Sequence, residues 1–359
     1  MRIMFEIDHP AHVHNFRFTI QHLLAEGNEI KIVAKEKDLS IRLLDRYELP
    51  FEKIGVSSAG FTGKALGLIE TDYRLLKIAK KFKPDLLVSR GSPYSAFVSR
   101  IVKKPHIAFC DTEFAWLGWL LAYPFTDVIC TPACFRKDLG SKHVRYNGYK
   151  ELAYLHPKYF HPEPAVLDEQ GLDPQDRFFI VRFIAWNAYH DYKLKGIEES
   201  KKVDFLRSLE KFGRVIVTAE GKMHRNLDRY RVKVSPEKIH SLLYYSHLYI
   251  GEGGTMAAEA AVLGTPAIHI EATSSGQATG DSSGNFLELR DRYQLLYFYP
   301  SQDPAMAKAI EILEDRNSKK EWQRRRGELL QEKIDVTAWM TDFINRYPDS
   351  FTGYRKISG

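Results

Sequence analysis

The chain has 359 residues, of which 44% are hydrophobic and 27% are charged, and its formal net charge is +6. This composition is typical of a folded globular protein and excludes a disordered or fibrous chain. Three cysteines are too few for a disulfide framework. The basic residues are scattered, without the basic stripe and stacking aromatic residues of a nucleic-acid-binding module, so we expect no nucleic-acid partner.

The sequence opens on a strand pattern, RIMFEI, rather than on a signal peptide. Its longest apolar stretch, FAWLGWLLAYPF at residues 114–125, is shorter than the ~20 residues of a membrane-spanning helix. We therefore expect a cytoplasmic protein. The apolar stretch is either a buried helix or, helped by lysines of the preceding helix, a peripheral contact with the inner face of the membrane. Those lysines are Lys77, Lys80, Lys81 and Lys83.

The first half of the chain alternates strand patterns with amphipathic helix patterns. The predicted strands are Arg2–Ile7, Glu29–Ala34, Phe51–Val56, Asp85–Ser89, His106–Cys110 and Asp127–Thr131. Helix patterns such as NFRFTIQHLLAEG and DYRLLKIAKKFKPD lie between them. This alternation predicts an α/β fold with a doubly wound parallel sheet, which binds ligands at the carboxyl ends of its strands.

A proline-rich segment separates this half from a second α/β pattern. Prolines at 157, 162, 164 and 174 interrupt the periodicity. The strand patterns FFIVRFI, RVIVTAE, a short VKV, HLYIG and PAIHIEA follow, and the last part of the chain is helical and highly charged. We therefore predict a first domain over residues 1–155, a linker over 156–176, a second domain over 177–303 and a helical tail over 304–359.

Three histidines and an aspartate follow the first predicted strand, in the sequence DHPAHVH. Imidazole titrates near neutral pH, so His12 or His14 can serve as a general base. The same residues, with Asp8 and His9, can instead brace a turn or bind a metal ion. The spacing alone leaves all three interpretations open.

Polar residues also follow two other predicted strands. Asp111 and Glu113 come after the fifth strand and are candidates for acid–base chemistry or for binding sugar hydroxyls, but they can equally cap the next helix. Arg182 and His190 follow the first strand of the second domain. Arg182 can pair with a phosphate oxygen, and His190 can do the same or orient a sugar. A plain polar loop is the alternative.

The most informative stretch is SHLYIGEGGTMAAEAAVLGTPAIHI at residues 246–270. A strand enters the turn Gly251-Glu252-Gly253-Gly254, and Thr255 opens a helix of small residues. Glycines allow a ligand to approach the backbone, and the N–H groups of a helix N-terminus favour an anion such as a diphosphate. Glu259, one turn into the helix, can accept hydrogen bonds from a ribose. The spacing fits neither the dinucleotide-binding fingerprint nor a Walker loop.

This stretch resembles the donor-binding motif of GT-B glycosyltransferases, above all the peptidoglycan N-acetylglucosaminyltransferase, and of nucleotide-sugar 2-epimerases. The whole chain is similar to a family of GT-B-like bacterial and archaeal proteins. The positions that match the motif are Gly253, Gly254, Thr255, Glu259, Leu263, Gly264 and Pro266. The resemblance implies two Rossmann-like domains facing a cleft, an acceptor-side domain first and a nucleotide-sugar-binding domain second, with C-terminal helices crossing back to the first domain.

The resemblance further implies metal-independent glycosyl transfer in polysaccharide biosynthesis, with no cofactor. The expected donor is a nucleotide sugar, most naturally a UDP-sugar, and the expected acceptor is a carbohydrate or a lipid-linked sugar. Candidate catalytic residues are His12, His14, Asp111 and Glu113. Candidate substrate-binding residues are Asp8, Arg182, His190, Glu252, Gly253, Gly254, Thr255 and Glu259.

Two alternatives remain open. One is a nucleotide-sugar 2-epimerase, although the pattern of those enzymes is incomplete here. Ser89-Arg90-Gly91-Ser92 stands where they carry an aspartate, and AWNAYHDY lacks their Arg-Glu-Asn. The other is a protein that binds nucleotide sugars without catalysis, because a fold does not fix a function.

Overall fold

The structure is a computed structural model, and it describes residues 1–36, 38–56, 61–113, 116–184, 194–219 and 225–358. The chain divides into two compact units. Unit 1 comprises Met1–Tyr159 and Ile334–Gly359, and unit 2 comprises Phe160–Lys333. None of the helices in the described ranges is long and apolar enough to cross a membrane.

Unit 1 is built on a seven-stranded parallel sheet. In chain order its strands are β1 (Arg2–Ile7), β2 (Glu29–Glu36), β3 (Phe51–Val56), β4 (Leu86–Ser89), β5 (His106–Phe109), β6 (Val128–Pro132) and β7 (His143–Tyr146). Its helices up to the end of the first segment are α1 (Pro10–Ala25), α2 (Asp38–Arg46), α3 (Phe61–Phe82), α4 (Pro93–Val102), α5 (Trp116–Ala122) and α6 (Leu152–Leu155). The spatial order is β3-β2-β1-β4-β5-β6-β7.

Unit 2 contains a five-stranded parallel sheet. Its strands are β8 (Phe178–Phe183), β9 (Arg214–Ala219), β10 (Leu248–Gly251), β11 (Ala267–Ile270) and β12 (Leu296–Tyr299), in the order β12-β11-β10-β8-β9. Its helices are α7 (Ala165–Gln170), α8 (Lys202–Glu210), α9 (Ile239–Tyr245), α10 (Gly254–Val262), α11 (Gly284–Asp291), α12 (Gln302–Glu314) and α13 (Ser318–Glu332). The expected class, α/β with two parallel sheets, is confirmed.

The end of the chain returns to unit 1 in two helices, α14 (Val336–Asn345) and α15 (Asp349–Ser358). Helix α14 packs against α1 and α6, and its first turn is anchored because the Thr337 hydroxyl donates to the Ala153 carbonyl over 2.6 Å. The crossing-back of the C-terminal helices, expected from the resemblance, is therefore present within unit 1.

Each sheet has a point at which the strand order reverses direction. In unit 1 this switch lies between β1 and β4, and in unit 2 it lies between β8 and β10. The strands on both sides are almost continuously apolar and buried, as both faces of a parallel sheet are covered by helices. Open parallel sheets bind ligands just beyond the carboxyl ends of the strands at such a switch. The predicted site residues must be located relative to these two points.

Candidate functional site

The turn after β1 brings an aspartate and a histidine together at the switch point of unit 1. Proline at the first position suits the start of α1, and the His9 side chain caps the helix by accepting the Ala11 N–H over 3.1 Å. One turn further, His12 Nδ1 lies 2.7 Å from Asp8 Oδ1. In the neutral imidazole this contact holds the proton on Nδ1 and leaves the Nε2 lone pair as the acceptor.

His14 lies in different surroundings. It is buried, its Nδ1 is 3.3 Å from the Tyr47 hydroxyl, and its ring stacks on Tyr154 with centroids 5.5 Å apart. The structure therefore separates the two candidate bases. His12 is paired with a carboxylate, whereas His14 is packed among aromatic rings of unit 1.

Next to His12 lies a buried ionic cluster that spans the ends of neighbouring strands. Arg90 follows β4 and Asp111 follows β5, and both the Arg90 guanidinium and the Lys150 ammonium bind the Asp111 carboxylate. Arg90 Nη1 also donates to Asn15 Oδ1 over 3.3 Å. Burial alone would raise the pKa of Asp111, but Lys150 and Arg90 together hold that pKa below its ordinary value. The Asp111 carboxylate is therefore ionised at neutral pH.

A cavity of about 130 Å³ opens beside this cluster. The residues that line it near the strand ends are His12, Arg90, Gly91, Cys110, Asp111 and Thr112. Glu113 is buried elsewhere: its carboxylate accepts the Arg136 N–H over 3.4 Å, and Lys137 Nζ donates to its carbonyl over 2.5 Å. Of the two predicted carboxylates after β5, the structure brings Asp111 to the cavity beside His12.

Glu6, a residue that the sequence patterns did not single out, links β1 to the segment after β4 at the switch point of unit 1. It sits on β1, is 2% exposed, and accepts hydrogen bonds from the hydroxyls of Ser92, at 2.8 Å, and Ser95. Burial, reinforced by the charge of Asp8, raises the pKa of Glu6 to about 7. A charged residue inside the buried run RIMFEI was the available signal for it.

At the switch point of unit 2, the glycine turn after β10 lies against Arg182 at the end of β8. Gly253 has a φ of 86° and precedes the first residue of α10. A Cβ at Gly253 would lie 3.2 Å from Arg182 Nε, so the guanidinium borders the turn directly. Gly254 and Thr255 open the helix and supply its free N–H groups. A cation beside a glycine turn that opens a helix is suited to bind an anion.

Gly251 fulfils a steric requirement of the same turn. Its φ is 152°, and a Cβ there would lie 2.3 Å from the carbonyl oxygen of Arg182. Strands β8 and β10 are adjacent, and Gly251 is the register partner of Arg182. The glycine thus lets the turn stay in contact with β8, which keeps Arg182 next to Gly253.

The Glu252 carboxylate forms hydrogen bonds with backbone groups inside the protein. It is fully buried, and its two carboxylate oxygens accept the N–H groups of Ile184, at 2.8 Å, and Ile197, at 2.7 Å. Burial raises its pKa, and the two backbone donors partly offset that effect. The carboxylate therefore ties the chain after β8 to the glycine turn.

Glu259 also has a protein partner. It is buried in α10, and His240 Nε2 on α9 lies 3.0 Å from Glu259 Oε1. The sequence patterns did not point to His240.

His190, the remaining candidate, lies outside the described residues. Within the described ranges no group of three or more His, Cys, Asp and Glu side chains is arranged to hold a metal ion.

The two α/β units, each built on a parallel sheet, have the fold of GT-B proteins. Solved structures with this fold that resemble the chain include glycosyltransferases, a MurG and UDP-GlcNAc 2-epimerases. The chain belongs to the family described as "Protein of unknown function (DUF354)", which matches residues 1–275. The expected resemblance to a GT-B-like family is confirmed.

Three similar proteins illustrate how similar the chain is to its relatives in sequence and in fold. The uncharacterized protein MJ0665 of Methanocaldococcus jannaschii is 23% identical over 282 residues, which cover 74% of this chain and 80% of the relative. The S. aureus MnaA–UDP co-structure has a TM-score of 0.66 and 11% identity, with 98% of each chain covered. The spinosyn forosaminyltransferase SpnP has a TM-score of 0.64 and 15% identity, with 98% of this chain and 99% of SpnP covered.

Proposed function

We propose that the protein is a GT-B glycosyltransferase that moves a sugar from a nucleoside diphosphate sugar to an acceptor hydroxyl in glycan biosynthesis. The observation that carries the proposal is the position of the Arg182 guanidinium, which borders Gly253 at the N-terminus of α10. A uridine nucleotide is the first donor to test, because similar structures were solved with UDP and with UDP-GlcNAc.

In this proposal unit 2 binds the diphosphate and unit 1 supplies the base. His12 Nε2 takes the proton of the acceptor hydroxyl, whose oxygen bonds to the anomeric carbon of the donor sugar. The bond from that carbon to the diphosphate oxygen breaks, and the diphosphate leaves with the electron pair. Arg182 and the N–H groups of α10 stabilise its charge, while Asp8 stabilises the imidazolium formed on His12. In this proposal side chains and backbone N–H groups stabilise the charges of the diphosphate and the imidazolium, and the step includes no metal ion.

Epimerisation is the second candidate, and the ionic cluster argues against it. An epimerase must add a proton to its intermediate as well as remove one, which requires carboxyl groups that can be protonated near neutral pH. Asp111, the carboxylate that lines the cavity beside His12, is held ionised by Arg90 and Lys150, and Glu6, whose pKa is about 7, does not line that cavity. Arg90 stands in the segment where those enzymes carry an aspartate. This arrangement favours transfer.

One experiment separates the candidates. The protein is incubated with UDP-sugars, with and without a panel of carbohydrate and lipid-linked acceptors, and UDP and sugar products are resolved by chromatography. We expect release of UDP that depends on the acceptor. Conversion of one UDP-sugar into another, or release of UDP together with the epimeric free sugar, would identify an epimerase, whereas slow release of UDP with the unchanged sugar is donor hydrolysis by a transferase. Saturable binding of UDP with neither reaction would identify a binding protein.

A variant tests the donor site directly. Arg182→Ala should weaken UDP binding by about 1.5–3 kcal/mol, roughly 10- to 150-fold, which is the typical contribution of a hydrogen bond to a charged group. Arg207, an exposed residue of α8 in the same unit, is the matched control, and Arg207→Ala should bind UDP like the wild type. Equal affinities of the two variants, measured by calorimetry, would remove Arg182 from the donor site.

A further inference from the structure

Helix α4 exposes two large apolar side chains and buries two serines, besides Ala96 and Val98. Ser95 and Ser99 are buried, and the Ser95 hydroxyl binds the buried Glu6 carboxylate. In contrast, Phe97 and Ile101, one turn apart, are 45% and 42% exposed. Helices on the surface of a globular protein normally turn their apolar residues inward. The outward face of α4 is therefore suited to apolar surroundings.

The neighbouring segment extends this face. Helix α5 and the 3-10 turn after it pack against α4. Leu120 and Leu121 are 65% and 51% exposed, and the Phe125 ring lies 6.1 Å from that of Phe97. We call Phe97, Ile101, Leu120, Leu121 and Phe125 the apolar surface. The other large hydrophobic side chains exposed in the described ranges lie on other elements, namely the first residue, α1, α2 and α3. They are Met1, Leu24, Leu39 and Tyr73.

The charges around the apolar surface are predominantly positive. Arg100, Lys103 and Lys104 are exposed in or just after α4, and Lys142 borders the ring of Tyr123. Between Pro93 and Thr126 the only two carboxylates, Asp111 and Glu113, are buried in unit 1. Nearby Asp127 and Asp85 pair with Arg100 at 3.2 Å and with Lys104 at 3.6 Å. The cations thus exceed the carboxylates at this surface.

We propose that the apolar surface docks the protein on a membrane that contains anionic lipids. Leucine and phenylalanine side chains enter the boundary between headgroups and acyl chains, while neighbouring lysines and arginines contact the lipid phosphates. A second copy of the chain fits less well, because a two-fold contact would place the same cations against one another. The proposal concerns binding alone and is independent of the proposed transferase activity.

Vesicle co-sedimentation with the full chain, without any nucleotide sugar, tests this proposal. We expect binding to phosphatidylglycerol vesicles that is at least tenfold stronger than binding to phosphatidylcholine vesicles and that weakens with added salt. Leu120→Ser/Leu121→Ser should reduce it by about tenfold or more, because apolar burial on the membrane is lost. Lys103→Glu/Lys104→Glu should have a similar effect at low salt and a smaller one at high salt.

Matched controls keep the test decisive. Leu24→Ser and Tyr73→Ser remove exposed apolar side chains from α1 and α3, outside the apolar surface, and should bind vesicles like the wild type. Circular dichroism confirms that each variant is folded. The proposal fails if the wild type does not bind anionic vesicles, or if the α5 variant binds as tightly as the controls. It also fails if gel filtration without lipid shows a dimer that the α5 variant dissociates.

Discussion

The turns after β1 and β10 each border the switch point of their own unit, on opposite sides of it, and differ in their chemistry. Each follows a central strand of a parallel sheet, next to the point where the strand order reverses. In both, a buried glutamate crosses that point: Glu6 binds serine hydroxyls that follow β4, and Glu252 binds backbone N–H groups that follow β8. A buried glutamate thus bridges the switch point in both units, although Glu6 lies on the first strand of unit 1 and Glu252 follows the third strand of unit 2.

The groups that the two turns present are unlike. The turn after β1 presents side chains, with His12 held by Asp8 beside a cavity that also contacts Asp111. The turn after β10 presents mainly backbone, because Gly253 and Gly254 carry no side chain, and the Arg182 guanidinium stands beside it. Side chains can take up protons, and backbone N–H groups can bind an anion without changing protonation. The difference suits one turn for proton transfer and the other for diphosphate binding.

The largest expected effect comes from removing the base of the first turn. His12→Asn should reduce turnover by about 10²- to 10⁴-fold, the usual contribution of general-base catalysis. The affinity for UDP should stay the same, because the diphosphate is assigned to unit 2. Steady-state kinetics with the acceptor found in the chromatographic screen measures the first quantity, and calorimetry measures the second.

His14 provides the matched control for that substitution. His14→Asn removes the hydrogen bond with Tyr47 and the stacking on Tyr154, so it should lower the midpoint of urea unfolding while turnover per folded molecule is retained. If His14→Asn abolished turnover and His12→Asn did not, the assignment of the two histidines would be reversed.

The comparison also shows which parts of each site can be predicted from sequence. The glycine turn was predictable because glycines between a strand pattern and a helix of small residues have a direct physical meaning. The His12–Asp8 pair depends on the fold of the turn, because Asp8 precedes both the N-cap His9 and the first residue of α1. Arg90, Lys150 and His240 were missed because their roles depend on which strands are neighbours, which the sequence does not state locally.

The differences in strand prediction have a similar origin. Strands β7 (HVRY) and β12 (LYFY) were not predicted. The predicted short strand VKV is absent from the described sheets, where only an isolated bridge joins Arg231 to Val217. In both cases, pairing with a neighbouring strand decides whether the segment forms a strand. Glu252, a candidate substrate-binding residue, is buried by the fold.

The next expected effect concerns pH and the glutamate of unit 1. The pKa of Glu6 is about 7 in the folded protein, against an ordinary value of 4.5. Between these values the folded state holds a proton that the unfolded chain has released, so the free energy of unfolding falls as pH rises from 4.5 to 7. The full contribution is about 3 kcal/mol. Asp8 and Lys35 also face this carboxylate, with opposite effects on its pKa.

Glu6→Gln should remove this pH dependence. Serine hydroxyls both donate and accept, so Ser92 and Ser95 can rotate to bind the amide, and the variant should match the wild type at pH 5 and exceed it at pH 8. Urea unfolding at a series of pH values measures the difference. Parallel stability–pH curves for the two proteins would show that Glu6 does not titrate in this range.

The smallest expected effect is that of Glu252→Gln in unit 2. This substitution should lower the stability, whereas Glu6→Gln should raise it at pH 8. Glu252→Gln replaces one acceptor oxygen by an amide that can only donate, opposite the N–H of Ile184 or Ile197, and backbone donors cannot rotate to accept. A buried donor without an acceptor destabilises a protein by about 1–3 kcal/mol, so the unfolding midpoint in urea at pH 8 should fall. UDP affinity should change little wherever the variant remains folded. Unchanged stability with weakened UDP binding would instead make Glu252 a ligand of the nucleotide, and the two turns would then differ in their anchoring as well as in their chemistry.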